Sequence, residues 1–330
     1  MRRIRNKKLI WGVAGTGRIV EHSFLPAINF LKRSSVAAIY GHNLHRAKLL
    51  ATKTPNASAF DDFDKFLEQD FDVLYVASSN DYHYEQVLKA AKKGKQILCE
   101  KPLALTSEQA KEMVKVCEEN NVKLAVNYIF RFHPLIKKAK ELVDNQYIGK
   151  IISIYSNFHI DFPPSDNYRY DKNKGGGALL DLGTHMIDLF RYIGGEFELL
   201  HGYVDNLLYN TDVDDFAGAT VKFNNGFYGN FQVSFDSKRS PNRLVIIGHK
   251  GTISIDDLIG KKFVPSKLII EIEGERKKVF RRKTNKFLSA MRWYQKYYLK
   301  NIEPEVTGYD GYINMKIMEK IKNFGKNEIE

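Results

Sequence analysis

The sequence predicts two domains: an N-terminal α/β domain built on a parallel sheet, and a C-terminal α+β domain rich in β-strands. Three observations support this prediction. The chain has 330 residues, which is long for a single hydrophobic core. Residues 8–127 alternate short apolar runs with helical patterns. Residues 150–272 instead contain mainly short β-rich runs separated by turns.

The strands of the first domain are predicted from five apolar runs, LIWGVAG, VAAIY, DVLYVAS, QILCE and KLAVN. Each run is nearly continuous in apolar residues, as is typical of parallel strands that are buried on both faces. Amphipathic segments between the runs predict helices. For one of them, SEQAKEMVKVCEENN, we expect Ser107 to cap the N-terminus.

The first strand ends in GVAGTGRIV, a glycine-bearing turn that leads into a helix. Gly15 and Gly17 allow the backbone to turn tightly and to approach a pyrophosphate at the helix N-terminus. The third small position of the dinucleotide pattern is Val20, so a plain turn without a ligand stays open as the alternative. The position after the first strand favours NAD or NADP as cofactor. The predicted cofactor contacts in this turn are Gly12, Gly15, Thr16, Gly17, Arg18 and Ile19.

The end of the second strand bears on the choice between the two cofactors. An NAD site often places a carboxylate here to hold the ribose hydroxyls. The stretch AAIYGHNLHRA has no carboxylate that would repel a 2′-phosphate, and His42 or Arg46 could contact one. The sequence therefore favours NADP over NAD.

Net charge and composition exclude several classes of protein. The net charge is +12, with the densest patch at residues 274–286. Such an excess favours anionic partners, but no nucleic-acid-binding motif accompanies it, and we interpret the patch as a solvated face. No apolar run reaches the roughly 20 residues that a membrane span needs. We interpret the basic N-terminus, residues 1–8, as a lead into the first strand and not as a signal peptide.

The cysteine count points to a reducing environment. Cys99 and Cys117 are the only cysteines in the chain, too few for a disulfide framework or a multi-cysteine metal site. We therefore expect a cytoplasmic protein without a bound metal.

Several motifs make the chain resemble the Gfo/Idh/MocA oxidoreductases, the glucose–fructose oxidoreductase and inositol dehydrogenase family. They are the glycine turn, VASSNDYHYEQVLKAAKKGKQILCEKPLA and VNYIFRFHP. The most specific elements are Glu100-Lys101-Pro102 and the D-x-G-x-H pattern that begins at Asp181 and ends at His185. The resemblance covers nearly the whole length.

The resemblance implies a fold and a domain division. Residues 1–127 are expected to form an NAD(P)-binding Rossmann domain. Residues 128–330 are expected to form a substrate-binding and oligomerisation domain with a large open, mostly antiparallel sheet. Its C-terminal helix, at about 308–324, would pack back on the first domain. Hairpin signals at Asn225-Gly226 and Lys250-Gly251 support the antiparallel sheet independently.

The resemblance also implies a catalytic group of Lys101, Asp181 and His185. A lysine beside the nicotinamide can stabilise negative charge that develops on the substrate oxygen, and a histidine can exchange the hydroxyl proton. Asp181 and His185 are four residues apart, so on an α-helix they share a face. The alternative is a satisfied core histidine with Asp181 capping the helix. Asp188, three residues further on, is predicted to pin the helix as a hydrogen-bond acceptor.

The remaining site residues follow from the same resemblance and from one long polar loop, 161–177. We expect further cofactor contacts from the loop after the third strand, from the Glu-Lys-Pro segment and from the end of the last strand. Substrate contacts are expected at the pocket entry and in the polar loop. The further cofactor residues are Ser78, Asn80, His83, Glu100, Lys101, Pro102 and Asn127, and the substrate residues are Lys101, Tyr128, Arg131, Tyr168, Arg169, Asp181 and His185.

The predicted function is hydride transfer between NAD or NADP and a secondary alcohol or ketone of a sugar, polyol or nucleotide-linked sugar. Two alternatives stay open: a glycosidase that uses a transient oxidation, and a dinucleotide-binding regulator without activity. Because one face of an open sheet needs cover, we expect a homodimer or homotetramer formed through the C-terminal sheet. No nucleic acid or membrane partner is expected.

Overall fold

The chain forms two compact units. The computed structural model describes residues 7–258 and 265–324, so part of the predicted N-terminal lead, residues 1–6, lies outside the described residues. The first unit comprises the described part of Met1–Ile129 together with Asn285–Met315. The second comprises the described parts of Phe130–Thr284 and of Lys316–Glu330.

The first unit contains a six-stranded sheet in which every neighbouring pair is parallel. Its strand order is β3-β2-β1-β4-β5-β6. The order reverses at β1, and ligands of such open sheets bind outside the carboxyl ends of the strands at the reversal point. The predicted Rossmann architecture is confirmed. The strands are β1 (Leu9–Ala14), β2 (Ser34–Tyr40), β3 (Ser58–Phe60), β4 (Val73–Val76), β5 (Gln96–Cys99) and β6 (Leu124–Val126).

Helices follow the strands of this sheet, and one of them begins differently from the prediction. Thr106, not Ser107, is the N-cap of α5: its backbone is extended and its hydroxyl accepts the N–H of Gln109 at 3.2 Å, while Ser107 is already helical. A π-helical turn, Val20–Phe24, precedes α1. The helices are α1 (Leu25–Phe30), α2 (Leu44–Ala51), α3 (Phe63–Leu67), α4 (Asn80–Lys92) and α5 (Ser107–Glu119).

The second unit is built on an eight-stranded sheet of order β14-β13-β12-β11-β7-β10-β9-β8. Only β7 and β10 pair in parallel, so the predicted mostly antiparallel sheet is confirmed. Both predicted hairpins form, between β9 and β10 and between β11 and β12. The strands are β7 (Ile151–His159), β8 (Phe197–Asp205), β9 (Phe216–Phe223), β10 (Tyr228–Ser234), β11 (Arg243–Gly248), β12 (Gly251–Asp256), β13 (Ser266–Ile272) and β14 (Lys278–Arg282).

Two helices cover one face of the second sheet, α6 (Pro134–Asp144) and α7 (Thr184–Gly194). Along β7, Ile154, Ser156 and Phe158 are buried, whereas Tyr155 on the opposite face is 37% exposed. This alternation is the pattern expected for a sheet with one covered face.

A late segment of the chain returns to the first unit. Helix α8 (Lys286–Lys300) is followed by α9 (Gly308–Lys322). The buried hydroxyls of Tyr294 and Tyr298 donate to the carbonyls of Val126 and Ile97 at 2.6 and 2.7 Å. Residues 285–315 belong to the first unit. The expected division at 127/128 instead assigned them to the second domain, with the helix at about 308–324 packing back on the first. None of the helices described in residues 7–258 and 265–324 is long and apolar enough to cross a bilayer.

Candidate active site

The glycine turn after β1 uses its two glycines for different purposes. Gly15 has a φ of +124°, and a Cβ there would lie 2.3 Å from the carbonyl oxygen of Ala77. The fold itself therefore requires glycine at 15. Gly17 has an ordinary φ, and a Cβ there would meet no atom within 4 Å. Nothing within the described chain requires glycine at 17, as expected where a ligand must approach the backbone. Arg18 and Ile19, which follow, are both exposed.

The end of β2 is tied to this turn by Arg46. Its Nε donates to the carbonyl oxygen of Thr16 at 2.6 Å, and its Nη2 lies 3.3 Å from the carboxylate of Glu21. Gly41 allows this close approach, because a Cβ there would lie 2.4 Å from the Thr16 methyl group. His42 is exposed, with its Nδ1 3.2 Å from the Tyr40 hydroxyl. The cationic Arg46 and the titratable His42 thus lie at the end of β2, where the sequence predicts the ribose or the 2′-phosphate of the cofactor.

Glu100 is held by two donors at the end of β5. Its Oε1 accepts the hydroxyl of Tyr75 at 2.5 Å and the amide Nδ2 of Asn127 at 2.7 Å. Burial raises the pKa of Glu100, and hydrogen bonds from Tyr75 and Asn127, with the charge of Lys101, oppose that rise. Asn127 is 1% exposed, and its Oδ1 has no hydrogen-bond partner within the described residues. A donor from a bound group can satisfy this acceptor.

The Lys101–Pro102 peptide bond is cis. His83 supports this segment: its Nδ1 lies 3.0 Å from the Pro102 carbonyl oxygen, and its ring is fully buried. Burial lowers the pKa of His83, against smaller opposing effects of nearby carbonyls. The Ser78 hydroxyl donates to Gln86 at 2.7 Å. Lys101 is half-buried at the same edge of the sheet. The open cradle at Gly17 and the partnerless acceptor of Asn127 therefore fit a dinucleotide.

Asp181 and His185 lie on one helix, but the turn between them is wider than predicted. Residues Leu179–Gly183 form a π-helical turn that continues into α7. A π-turn bonds i to i+5, so four residues no longer complete one turn, and such turns are frequent at functional sites. Gly183 leaves room for the Leu179 side chain, which would lie 2.9 Å from a Cβ there. Asp181 and His185 are 7% and 9% exposed.

Each acidic residue of this helix is paired with an arginine from another segment. Arg169 Nε donates to Asp181 Oδ2 at 2.6 Å. Arg131 binds Asp188 through two nitrogens, with contacts of 2.6 to 3.0 Å, and both side chains are buried. Asp188 thus accepts hydrogen bonds in the way that the sequence predicts, and Arg131 is its partner.

The imidazole of His185 contacts an aromatic ring. The ring of Phe130 meets it at a centroid distance of 4.7 Å and an interplanar angle of 75°. Phe130 precedes Arg131 in the short 3₁₀ segment Ile129–Phe132. This segment therefore contacts the helix that carries Asp181 and His185 at two points, the imidazole of His185 and the carboxylate of Asp188.

Asp214 is a residue of this helix terminus that the sequence analysis missed. Its Oδ2 accepts the N–H of Leu179 at 2.7 Å, and its carbonyl accepts the N–H of Ala178 at 2.9 Å. Gly177 has a φ of +110°, and a Cβ there would lie 2.2 Å from Asp214 Oδ1. Burial raises the pKa of Asp214 to about 6. No spacing rule connects Asp214 to a helical turn that begins at Leu179, 35 residues earlier, so the sequence carries no signal for this partner.

The predicted site residues divide between the two units. The glycine turn, the end of β2, the loop after β4, the Glu-Lys-Pro segment, Asn127 and the fully buried Tyr128 belong to the first unit. The second unit holds the predicted residues of the 3₁₀ segment, of the polar loop and of the helix that carries Asp181 and His185. Those residues are Arg131, Tyr168, Arg169, Asp181 and His185. Among the residues that the structure describes, no cluster of three or more His, Cys, Asp or Glu is arranged to hold a metal.

Comparison with known protein families matches both halves of the chain. Residues 9–128 match an oxidoreductase family described as an NAD-binding Rossmann fold, and residues 136–254 match the Gfo/Idh/MocA C-terminal domain. The fold and site define an NAD(P)-binding oxidoreductase. The chain belongs to the Gfo/Idh/MocA family, which confirms the predicted family, class and cofactor type.

The individual relatives compared with the chain share less than a third of its residues. The chain is 28% identical to D-xylose 1-dehydrogenase (NADP(+)) 2 of Haloferax volcanii, over 69% of this chain and 70% of that protein. It is 27% identical to trans-1,2-dihydrobenzene-1,2-diol dehydrogenase of Mus musculus, over 82% and 79%. Among solved structures, a 3-ketoreductase from Actinomadura kijaniata with NADP and TDP-benzene superposes with a TM-score of 0.87 at 23% identity, covering 96% of this chain and 98% of that one. This last similarity shows the fold.

Proposed function

We propose that this protein transfers a hydride between NAD(P) and a secondary alcohol or ketone of a sugar or polyol. One observation carries the proposal. The chain belongs to this oxidoreductase family and contains Lys101, Asp181 and His185. Asp181 and His185 lie on one continuous stretch of helix and are largely buried. A regulator without activity would need no group able to move a proton.

The proposed mechanism assigns one role to each residue. Bound NAD(P) supplies the hydride acceptor for oxidation or the hydride donor for reduction. His185 takes the hydroxyl proton as the alcohol is oxidised and returns it in the reverse direction. The Lys101 ammonium stabilises negative charge on the reacting oxygen. Asp181 presents a carboxylate that favours the charged form of a nearby base.

The cofactor would be held by residues of the first unit. The backbone at Gly17 and the helix N-terminus that follows it suit the pyrophosphate, and the acceptor of Asn127 suits a donor group such as an amide. At the end of β2, Arg46 and His42 suit a 2′-phosphate, because residues 41–47 include no carboxylate. The Glu21 carboxylate beside Arg46 is also paired with Lys53. The carbonyl of Thr16 anchors Arg46 beside the glycine turn. We therefore propose NADP as the preferred cofactor.

The preference for NADP can be tested without a substrate. We expect 2′,5′-ADP to bind at least about tenfold more tightly than 5′-AMP, and Arg46→Gln to remove most of that difference. Lys48→Gln, an exposed change on the same helix, is the matched control and should leave the difference intact. Equal affinities of the wild type for the two nucleotides would point to NAD instead.

An uncharged sugar or polyol is the substrate class that the second unit suits best. Asp181 and Asp188 are each neutralised by an arginine, so these pairs offer no surplus positive charge for a phosphorylated group. A panel of D-xylose, D-glucose, myo-inositol and a dTDP-linked sugar, each with NAD and NADP, tests the class. Faster turnover of the dTDP-linked sugar would favour a nucleotide-linked substrate.

The central experiment is the replacement of His185. We expect His185→Ala to lower turnover by about 10²- to 10⁴-fold while leaving cofactor affinity unchanged. His249→Ala, an exposed histidine of the second unit, is the control. Unchanged turnover in His185→Ala would contradict the proposed mechanism. Release of p-nitrophenol from a glycoside without net NAD(P)H would instead indicate a glycosidase, and cofactor binding without any turnover would indicate a regulator.

The proposed assembly is a homodimer or homotetramer that covers the open face of the second sheet. Tyr155 and Tyr228 on this face are 37% and 50% exposed, and they lie on the adjacent strands β7 and β10. Multi-angle light scattering measures the mass directly. Replacing both tyrosines with lysine should shift the protein towards the monomer, because two charges would then have to be buried.

A further inference from the structure

The polar loop 161–177 has an aromatic core of its own. The rings of Phe162 and Tyr170 stack with a centroid distance of 6.1 Å, and both pack on Phe235, at 5.6 and 5.8 Å. The Tyr170 hydroxyl donates to the Phe162 carbonyl. The loop thus presents its remaining side chains from a compact base, which reduces the entropy lost in ordering them.

Arg169 is the residue through which this loop contacts the catalytic helix. Its guanidinium carbon lies 4.7 Å from the ring centre of Tyr168 and 5.4 Å from that of Phe162. Its Nε donates to Asp181 Oδ2 at 2.6 Å. Its backbone carbonyl accepts the N–H of Gly177 at 2.9 Å. Side chain and backbone therefore both join the loop to the segment in which the helix begins.

The glycines ahead of the helix make this approach possible. A Cβ at Gly176 would lie 2.6 Å from the carbonyl oxygen of Arg169. Any side chain at 176 would push Arg169 away and lengthen its bond to Asp181. Gly176 and Gly177 are thus accounted for by close approaches of Arg169 and Asp214, and Gly175 by its left-handed φ of +71°.

The electrostatics of the pair are those of a buried, charge-assisted hydrogen bond. Asp181 and Arg169 have side-chain exposures of 8% and 27%. Burial lowers the pKa of Arg169, but Asp181 and Tyr168 more than offset this, so the pKa is raised overall and the guanidinium stays charged. A guanidinium at this distance favours the ionised form of a carboxylate and fixes its orientation.

We infer that Arg169 is a positioning residue of the hydride-transfer reaction, which acts by holding Asp181 ionised and in one orientation. This inference rests on the proposed function. Because an ionised Asp181 has no proton to give, the inference assigns proton donation in the reduction direction to His185. It also replaces the sequence-based expectation that Arg169 contacts the substrate directly.

A double-replacement cycle of Arg169→Met and Asp181→Asn tests the inference. With NADP and the sugar of the panel that the wild type oxidises fastest, we expect Arg169→Met to lower kcat by about 10- to 100-fold with KM changed less than about threefold. The double variant should be no slower than Asp181→Asn alone by more than about threefold. Lys172→Met, an exposed change in the same loop, should behave as the wild type.

Two results with the methionine variants would overturn the inference. The first is a raised KM with unchanged kcat in Arg169→Met, which would indicate a direct substrate contact. The second is a multiplicative loss in the double variant, which would mean that Arg169 acts independently of Asp181. Arg169→Lys guards against misfolding of the methionine variant: it keeps the charge but loses the Nε donor, so kcat should fall at constant KM. An unchanged kcat in Arg169→Lys would also contradict the inference.

Thermal unfolding gives a readout that needs no substrate. The falls in melting temperature caused by Arg169→Met and Asp181→Asn should not add, so that the double variant melts within about 2 °C of the less stable single variant. Additive falls would contradict a direct pair. Failure of the wild type to oxidise any sugar would contradict the proposed function, whereas this thermal cycle tests the pair independently.

Discussion

The carboxylate of Asp214 accepts the backbone N–H of Leu179 at 2.7 Å and so caps the helix that carries Asp181 and His185. The donor is one of the N–H groups at a helix start that have no partner within the helix. The cap comes from the connection between β8 and β9, far along the chain. Two predictions concern this helix, and two concern the cofactor-binding unit.

Asp214→Asn should change how stability depends on pH. Burial raises the pKa of Asp214 from 3.8 to about 6 in the folded protein. The folded state therefore binds this proton more tightly than the unfolded state, so its contribution to the free energy of unfolding is complete below about pH 3.8 and is lost as pH rises through about 6. Asparagine does not titrate. Between pH 4 and pH 7, the free energy of unfolding of the variant should therefore rise by up to about 3 kcal/mol relative to that of the wild type.

Urea denaturation at several pH values in this range measures the difference. Asp212→Asn, an exposed aspartate two residues away, is the control and should show no such trend. A wild-type-to-variant difference that stays constant with pH would contradict the assignment.

Replacing only one partner of the buried pair of Arg131 and Asp188 should destabilise the protein strongly. Arg131→Met leaves an uncompensated charge on Asp188, which is 1% exposed, and should lower the free energy of unfolding by about 3–5 kcal/mol. Adding Asp188→Leu should recover most of that loss, because the lone charge is then removed. Lys140→Met breaks an exposed pair with Asp144 and should cost less than about 1 kcal/mol. Chemical denaturation measures these free energies of unfolding. A double variant as unstable as Arg131→Met would contradict the explanation that the lone Asp188 charge causes the loss.

Alanine at Gly15 and at Gly17 should have opposite effects. Gly15→Ala introduces a strained φ and a clash with the Ala77 backbone, so it should destabilise the protein by about 3 kcal/mol or more. Gly17→Ala meets no protein atom and should change stability by less than about 0.5 kcal/mol. It should nevertheless weaken NADP binding by tenfold or more, because the methyl group occupies the space that a pyrophosphate approaches. Calorimetric titration and thermal unfolding separate the two effects, and unimpaired binding by a stable Gly17→Ala would exclude this turn as the pyrophosphate site.

The hydroxyl of Tyr75 should stabilise the fold more than that of Tyr298. Tyr75 donates to the carboxylate of Glu100, and a hydrogen bond to a charged acceptor contributes about 1.5–3 kcal/mol. Tyr298 donates to the neutral carbonyl of Ile97, a bond of about 1 kcal/mol. Tyr75→Phe and Tyr298→Phe remove the same atom from buried rings, so their difference in denaturation free energy isolates the charge on Glu100. Equal losses would show that Glu100 is neutral in the folded protein.

Local patterns predicted most of the secondary structure. The five apolar runs of the first half became β1, β2, β4, β5 and β6, whereas the three-residue strand β3 was not predicted. The turn signals at Asn225-Gly226 and Lys250-Gly251 became hairpins. Two further errors occurred where one residue or one hydrogen bond decides. The α5 cap is Thr106 because its backbone, not that of Ser107, is extended. The turn at Leu179–Gly183 is π-helical, a difference that a four-residue spacing of polar groups does not reveal.

Less of the candidate site than of the fold could be predicted from the sequence. Asp181, His185 and Asp188 were identified by motif and helical spacing. The arginine partners of the two aspartates lie 12 and 57 residues away in the chain. Ion pairs at such separations depend on which segments the fold brings together, and no local periodicity encodes them. Asp214 was missed for the same reason.

The sequence by itself determined the succession of strands and helices, the Rossmann turn and the family, because each depends on short-range periodicity and on motifs read within a few residues. Only the tertiary structure decided that residues 285–315 join the first unit. It also decided that Arg169 and Arg131 each pair with one aspartate of the helix that carries His185, and that Asp214 caps this helix. The physical reason is that a buried charge or unpaired N–H group must find a partner wherever packing brings one. That partner is selected by three-dimensional proximity and not by position in the chain.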